Sequence, residues 1–404
     1  MSPAAPSRTA LAIASGDVEF QILCACARVQ MDSQHASHLA SLLHQPWNSD
    51  RLLQLASQHG LGPLLSQHLG AQNAVPVPVK ECLRSEQAQA ARETLLLTQE
   101  LLRLHAQLQQ CGITVLAFKG PALTQMLYDG LGLRPFADLD FMIRRPDLPA
   151  ARNVMQSRGY EPTVQIAPAL EPDFVRTQYE YGMLQAASGV YVELQWAAAP
   201  RFYSVHFDEE RFWANAQALQ LGGVTLLTPS PADLPLLLSV HAAKHAWGRL
   251  IWLVDISELI RRYPGLDWSQ VLQTARTTGI LDMVLITLLL AQRLVGAQLP
   301  AVVAATVSEN PRITVLADRV QQAVATGSAE FVSPSPAHFW LMFRVRERWS
   351  DRARFVARLA LTPTHEEWNA VRLPRWLFPL YRVIRVVRAL RHLPAVCGLA
   401  WRRA

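Results

Sequence analysis

No run of apolar residues in the chain approaches the roughly 18 needed to cross a bilayer, so no transmembrane helix is expected. Cysteine is scarce. Cys24, Cys26, Cys82, Cys111 and Cys397 are odd in number and show no metal-ligand spacing. That argues against a disulfide framework and a zinc finger, and fits reduced thiols in a cytoplasmic protein. There are no internal repeats. The first residues, MSPAAPSRTALAIASG, hold one Arg and a very short apolar run, too little for a signal peptide. Residues 1–16 are expected to be a disordered lead-in. Charged residues make up only 17% of the chain and apolar residues 50%, a globular composition rather than a disordered one.

The charge that is present is unevenly placed. Of a net +6, residues 341–404 hold +10, from 14 Arg and no Lys against four acidic residues, so residues 1–340 are net negative. A near-neutral body argues against a dedicated groove for a long nucleic acid. At 404 residues the chain can hold two or three domains with real cores.

Residues 113–143 carry the densest chemistry. An apolar, β-rich run from Ile113 to Phe118 meets Lys119, Gly120 and Pro121, a turn no strand continues through. A short helix is expected over Ala122–Tyr128. A Gly-rich connection carrying Arg134 then leads to Asp138-Leu139-Asp140-Phe141-Met142-Ile143. On a strand, Leu139, Phe141 and Ile143 share one face and Asp138 and Asp140 the other. Paired carboxylates repel, and a divalent cation resolves the conflict. Two Mg²⁺ ions about 4 Å apart can clamp the attacking and leaving oxygens of a phosphoryl or nucleotidyl transfer. An isolated Asp-x-Asp is more often a solvated strand face or turn cap. Here it follows a strand–Gly turn–helix unit inside an otherwise apolar strand.

That order, with the wording FKGPAL…LY…R…DLDFMI, resembles a mostly uncharacterised bacterial branch of the DNA polymerase beta-like nucleotidyltransferase superfamily. Where that superfamily normally has Gly-Ser or Gly-Gly, this chain has Gly120-Pro121 preceded by Lys119. The resemblance implies an α+β fold: a small mixed-sheet core embedded between N-terminal and C-terminal helical regions. It implies transfer of a nucleoside monophosphate from a nucleoside triphosphate to an unknown acceptor, with Mg²⁺ or Mn²⁺ held by Asp138 and Asp140. The acceptor could be a small molecule, a peptide or a protein. The Gly120-Pro121 turn would meet the triphosphate, since amides entering a helix favour phosphate, Lys119 would neutralise its charge, and Arg134 is a further candidate for nucleotide binding.

The remaining chain frames this core. Helices are expected through 17–89, one from Asp50 to Gly60, another from Gly62 to His68, then a long one over 80–110. The core spans 90–228, a helical domain 229–330, and a basic tail 331–404. After a helix from Asp147 to Arg158, two alternating runs around Ser188-Gly189 read as a hairpin. Glu193, mid-strand in its second arm, is the candidate third carboxylate, able to share the metal and help deprotonate the acceptor. The family pattern has His where this chain has Gln195, which hydrogen-bonds but does not titrate. In the helical domain His241 and His245 face the same way, yet position 242 lacks the Glu of a His-Glu-x-x-His zinc site. Lys244 and Arg249 are candidates for phosphate; the alternative is a Lys/Arg–Asp255 pair. The basic tail reads either as a docked helix or as one lying on an anionic membrane surface, which would make a cytoplasmic protein peripheral to the inner membrane face. The alternative function is a catalytically silent nucleotide-binding or scaffold protein of a biosynthetic complex.

Overall fold

Seven short strands form one mixed sheet, β1 (Val115–Ala117), β2 (Asp138–Ile143), β3 (Tyr160–Pro162), β4 (Glu180–Gln185), β5 (Tyr191–Gln195), β6 (Gln217–Leu221) and β7 (Val224–Thr228). Their spatial order is β3-β4-β5-β2-β1-β7-β6. The β2–β5 and β1–β7 pairs are parallel and the other four antiparallel. The computed structural model describes residues 17–388 apart from 206, 329–330, 332–334, 365–366, 369–370 and 372. The lead-in at 1–16 and Cys397 lie outside the described residues.

The α+β architecture is as expected from the sequence, with helices on both chain-terminal sides of the sheet. The helix Ser49–His59 starts where the Asn48 side chain accepts from the Arg51 amide. It ends at Gly60, which takes the left-handed conformation (φ 70°) that terminates helices. The long helix starts at Val77 rather than 80, because Pro78 fits its first turn, and it runs unbroken to Gln110. It therefore crosses residue 90. Helices before it and helices after the sheet share one hydrophobic core, which joins Leu52 and Leu64 to Leu253 and Leu288.

Both faces of the sheet are covered. One packs Leu139, Phe141, Val192 and Leu194 against Leu101, Leu104 and Leu108 of the helix Val77–Gln110. The other holds a smaller cluster of Leu116, Phe118, Met142, Phe212 and Leu237. Asp138 and Asp140 lie on this second face, beside Met142, so β2 is not the half-solvated strand that its alternation predicts. Asp140 is 1% exposed.

The tail docks on the first face. Trp368 and Tyr381 are buried in the sheet's core, with Leu373, Phe378 and Ile384 packed against it. The Tyr381 hydroxyl donates to the Val371 carbonyl (2.8 Å) and accepts from the Leu373 amide (3.1 Å). Burying a side chain of this size contributes about 2 kcal/mol. Truncation before Leu373 is therefore expected to lower the melting temperature by several degrees. An unchanged melt, with salt-sensitive liposome flotation lost on truncation, would instead assign the tail to a membrane surface.

Candidate active site

The site forms where β1 ends, β2 begins and β5 runs alongside. In the parallel β2–β5 pair Asp138 lies opposite Tyr191, Asp140 opposite Glu193 and Met142 opposite Gln195. Side chains of one parity share a face, so Asp138, Asp140, Glu193 and Gln195 all project on the same side of two neighbouring strands. β1 delivers Lys119 next to them. Gly120 then turns the chain at φ +51° and opens the helix Gly120–Leu127, with Pro121 in its first turn. A Cβ at Gly120 would sit 3.4 Å from the Asp138 carbonyl oxygen. The turn therefore needs glycine for its backbone angle, while the approach to β2 is ordinary van der Waals contact.

Three carboxylates gather around one ammonium here. The Lys119 ammonium donates to Asp140 Oδ1 at 2.6 Å, and the Gln195 amide donates to the same oxygen at 2.7 Å and to Glu193 Oε2 at 2.6 Å. Burial disfavours the Lys119 ammonium, but Asp140, Glu193 and Asp138 outweigh it and hold its pKa above the usual lysine value. Burial, then the charge of Asp140, raises Asp138. Burial, then Asp140 and Glu180, pushes Glu193 up to about 8. Asp140 Oδ2 is buried with no hydrogen-bond partner among the described residues. Such an atom is costly to leave unpaired. Together these features describe a carboxylate cluster short of positive charge, which is the chemistry a divalent cation fits. Among the described residues, however, no three His, Cys, Asp or Glu side chains converge as a ready-made metal cage. Lys119 and Gln195 hold the acids instead.

Of the other residues singled out in the sequence, Lys244 comes closest. Its ammonium donates to the Tyr179 hydroxyl at 2.7 Å and stands over that ring. Burial lowers its pKa, with Glu180, Glu193 and Asp140 opposing. His241 and His245 pack with Trp252, ring centroids 4.9–5.3 Å apart. Desolvation, then the charges of Lys119 and Lys244, hold His241 well below its ordinary pKa, so it is neutral. Arg249 packs over Gly60, at the margin of the site. Arg134 is tied elsewhere. It donates twice to Asp255, at 2.7 and 2.9 Å, and the Tyr128 hydroxyl adds a third bond at 2.7 Å. The partner of Asp255 is thus Arg134, not Lys244 or Arg249.

Between Lys244 and Arg249 the chain holds two successive non-glycine residues in the left-handed region, Ala246 (φ 50°) and Trp247 (φ 54°). Such conformations cost about 1–3 kcal/mol each and persist where packing over-determines them. Trp247 supplies that packing. It is fully buried, its amide donates to the Ala242 carbonyl at 2.7 Å, and its indole donates to Thr287 Oγ1 at 2.7 Å. Reasoning from sequence passed over Tyr179 and Glu180. The hairpin register was the available signal, since a turn at Ser188-Gly189 pairs Glu180 with Gln195.

Residues 45–296 match an uncharacterised nucleotidyltransferase family, and the chain belongs to it. No curated protein matches the chain.

Proposed function

We propose that this family member is a metal-dependent nucleotidyltransferase that moves a nucleoside monophosphate from a nucleoside triphosphate to an acceptor hydroxyl and releases pyrophosphate. One observation carries the reading: Asp138, Asp140 and Glu193 lie on one face of two adjacent strands, in register, beside a glycine turn that opens a helix. Mg²⁺ or Mn²⁺, held by these three carboxylates, would supply the positive charge that stabilises the transferring phosphoryl group. The acceptor oxygen forms a bond to the α-phosphorus as the bond to pyrophosphate breaks, and the acceptor's proton leaves to a carboxylate. Glu193, on the strand beside Asp140, is the carboxylate assigned to that proton. The first-turn amides of the helix Gly120–Leu127 would face the triphosphate. Lys119, whose ammonium is bonded to Asp140 at the mouth of the same turn, would offset the charge of the phosphates. Pyrophosphate release from each nucleoside triphosphate, with and without Mg²⁺ or Mn²⁺, tests the reading. Release that is independent of the metal, or equal in Asp138→Asn, would sink it.

A second reading, a catalytically silent nucleotide-binding protein, has one observation in its favour: Lys119 and Gln195 already occupy Asp140 Oδ1. It predicts triphosphate binding with no pyrophosphate release under any metal.

Glu193 gives the site a pH dependence of defined sign. Its folded-state pKa of about 8 lies above the ordinary glutamate value. The native metal-free protein therefore holds a proton that the unfolded chain has lost, and its stability falls as pH rises from the ordinary glutamate range through about 8. Mn²⁺ competes with that proton, so its affinity is expected to rise over the same interval. Glu193→Gln should flatten both trends. Melting curves and Mn²⁺ titrations at pH 6 and pH 8.5 check this.

A further inference from the structure

A cavity of about 400 Å³ lies away from the acid cluster, between the helix Glu171–Thr177, the turn Arg201–Tyr203, the helix Trp349–Leu361 and the tail around Tyr381. Five arginines line it, Arg176, Arg201, Arg354, Arg358 and Arg382, against one carboxylate, Asp173. Arg176 pairs with Asp173, and Arg354 with Asp351. Arg201 and Arg382 have no carboxylate partner among the described residues. Burial, then the like charges of Arg201 and Arg354, depresses the Arg358 pKa. Gathering guanidiniums around a hollow is unfavourable without an anion to share. The floor is aromatic and rigid, since Trp368 and Tyr381 are buried in the sheet's core.

We infer that this cavity binds a small phosphate-bearing anion. Guanidinium forks match phosphate oxygens in pairs, which lysine does not, and the cavity is lined by arginine without a lysine. Its volume lies in the range of small-ligand pockets, about 300–1,000 Å³. Its walls also lead to the acid site. The helix bearing Arg176 ends two residues before Tyr179, which takes the Lys244 ammonium, and Tyr203, the last residue of the turn that Arg201 opens, donates to the Lys244 carbonyl at 3.3 Å. The inference does not depend on transfer chemistry at the acids.

The test is calorimetric titration of inorganic tripolyphosphate into the full chain in EDTA. Arg201→Gln with Arg358→Gln is expected to weaken binding about tenfold or more, as the loss of charge-assisted hydrogen bonds implies. Arg84→Gln, on the exposed surface of the long helix, should leave it within about twofold. Arg201→Lys with Arg358→Lys, which keeps the charge, should retain part of the affinity and stands in if the glutamine pair unfolds. Flotation with phosphoinositide vesicles that tripolyphosphate competes away assigns the phosphate to a lipid headgroup. Tripolyphosphate binding without flotation assigns it to a soluble ligand. No binding, binding untouched by both arginine pairs, or binding weakened as much by Arg84→Gln overturns the inference.

Discussion

Asp140→Asn is expected to lower nucleotidyl transfer by about 10³-fold, the scale of removing a charge that acts directly on the reacting centre. Asp140 is the hub of the cluster. It accepts from both Lys119 and Gln195, lies in register with Glu193, and keeps one oxygen unpartnered. Asparagine keeps the shape and loses the charge. On repulsion between the two carboxylates alone, neither Asp138→Asn nor Asp140→Asn would destabilise the metal-free protein. The structure separates the two. Asp138 is raised by burial and by its neighbour's charge, so Asp138→Asn should be neutral or stabilising. Asp140→Asn takes away the partner of a buried ammonium and should lower the melting temperature. Steady-state pyrophosphate release, with melting curves of both variants, checks the pair of statements. Wild-type turnover in Asp140→Asn would remove Asp140 from the mechanism.

Arg134→Ala is expected to cost about 3–5 kcal/mol of stability, as breaking a buried ion pair from one side does. Arg134 and Asp255 are both buried, and the pair is bidentate. It joins the connection before β2 to the helix Leu250–Arg262, and Tyr128 closes it from a third side. Truncating the arginine leaves a buried carboxylate with a single hydroxyl donor. Arg134→Met combined with Asp255→Leu removes both charges and should cost less than Arg134→Ala. Urea unfolding of the three proteins decides. The sequence reading places Arg134 in nucleotide binding, and the same experiment tests that role. An Arg134→Ala protein that unfolds like wild type yet loses triphosphate affinity would return the residue to the ligand.

The arrangement of chemistry along the chain was legible without coordinates because it is local. Gly120 can only mark a turn in that context, alternation puts Asp138 and Asp140 on one side of a strand, and the Ser188-Gly189 turn sets the hairpin that carries Glu193. The helices around Gly60 and Gly62-Pro63 were readable from their caps for the same reason. What the alternation could not reveal was that the acid face of β2 is itself covered. Burial there depends on side chains distant in the chain: Lys119 and Gln195 close over Asp140, and Phe212 and Leu237 pack beside Met142 on the same face.

The partners of the charged residues were likewise beyond the sequence. Lys119 and Asp140 are 21 positions apart, Gln195 and Asp140 are 55, and Arg134 and Asp255 are 121. Which arginine meets which carboxylate depends on how the helical body seats against the sheet, and no local propensity encodes that. The tail shows the same division. Its composition is that of a basic helix, and composition alone suits a membrane surface as well as a protein one. Packing seats its described part on the protein, because Trp368 and Tyr381 find apolar neighbours in the sheet's core that a linear reading places far away in the chain. By itself the sequence determined where the chain turns and which strand faces Asp138, Asp140 and Glu193 share, since those follow from periodicity and turn sterics. Tertiary structure decided which of them are buried and which are neutralised, and by what, since desolvation and charge pairing depend on through-space neighbours.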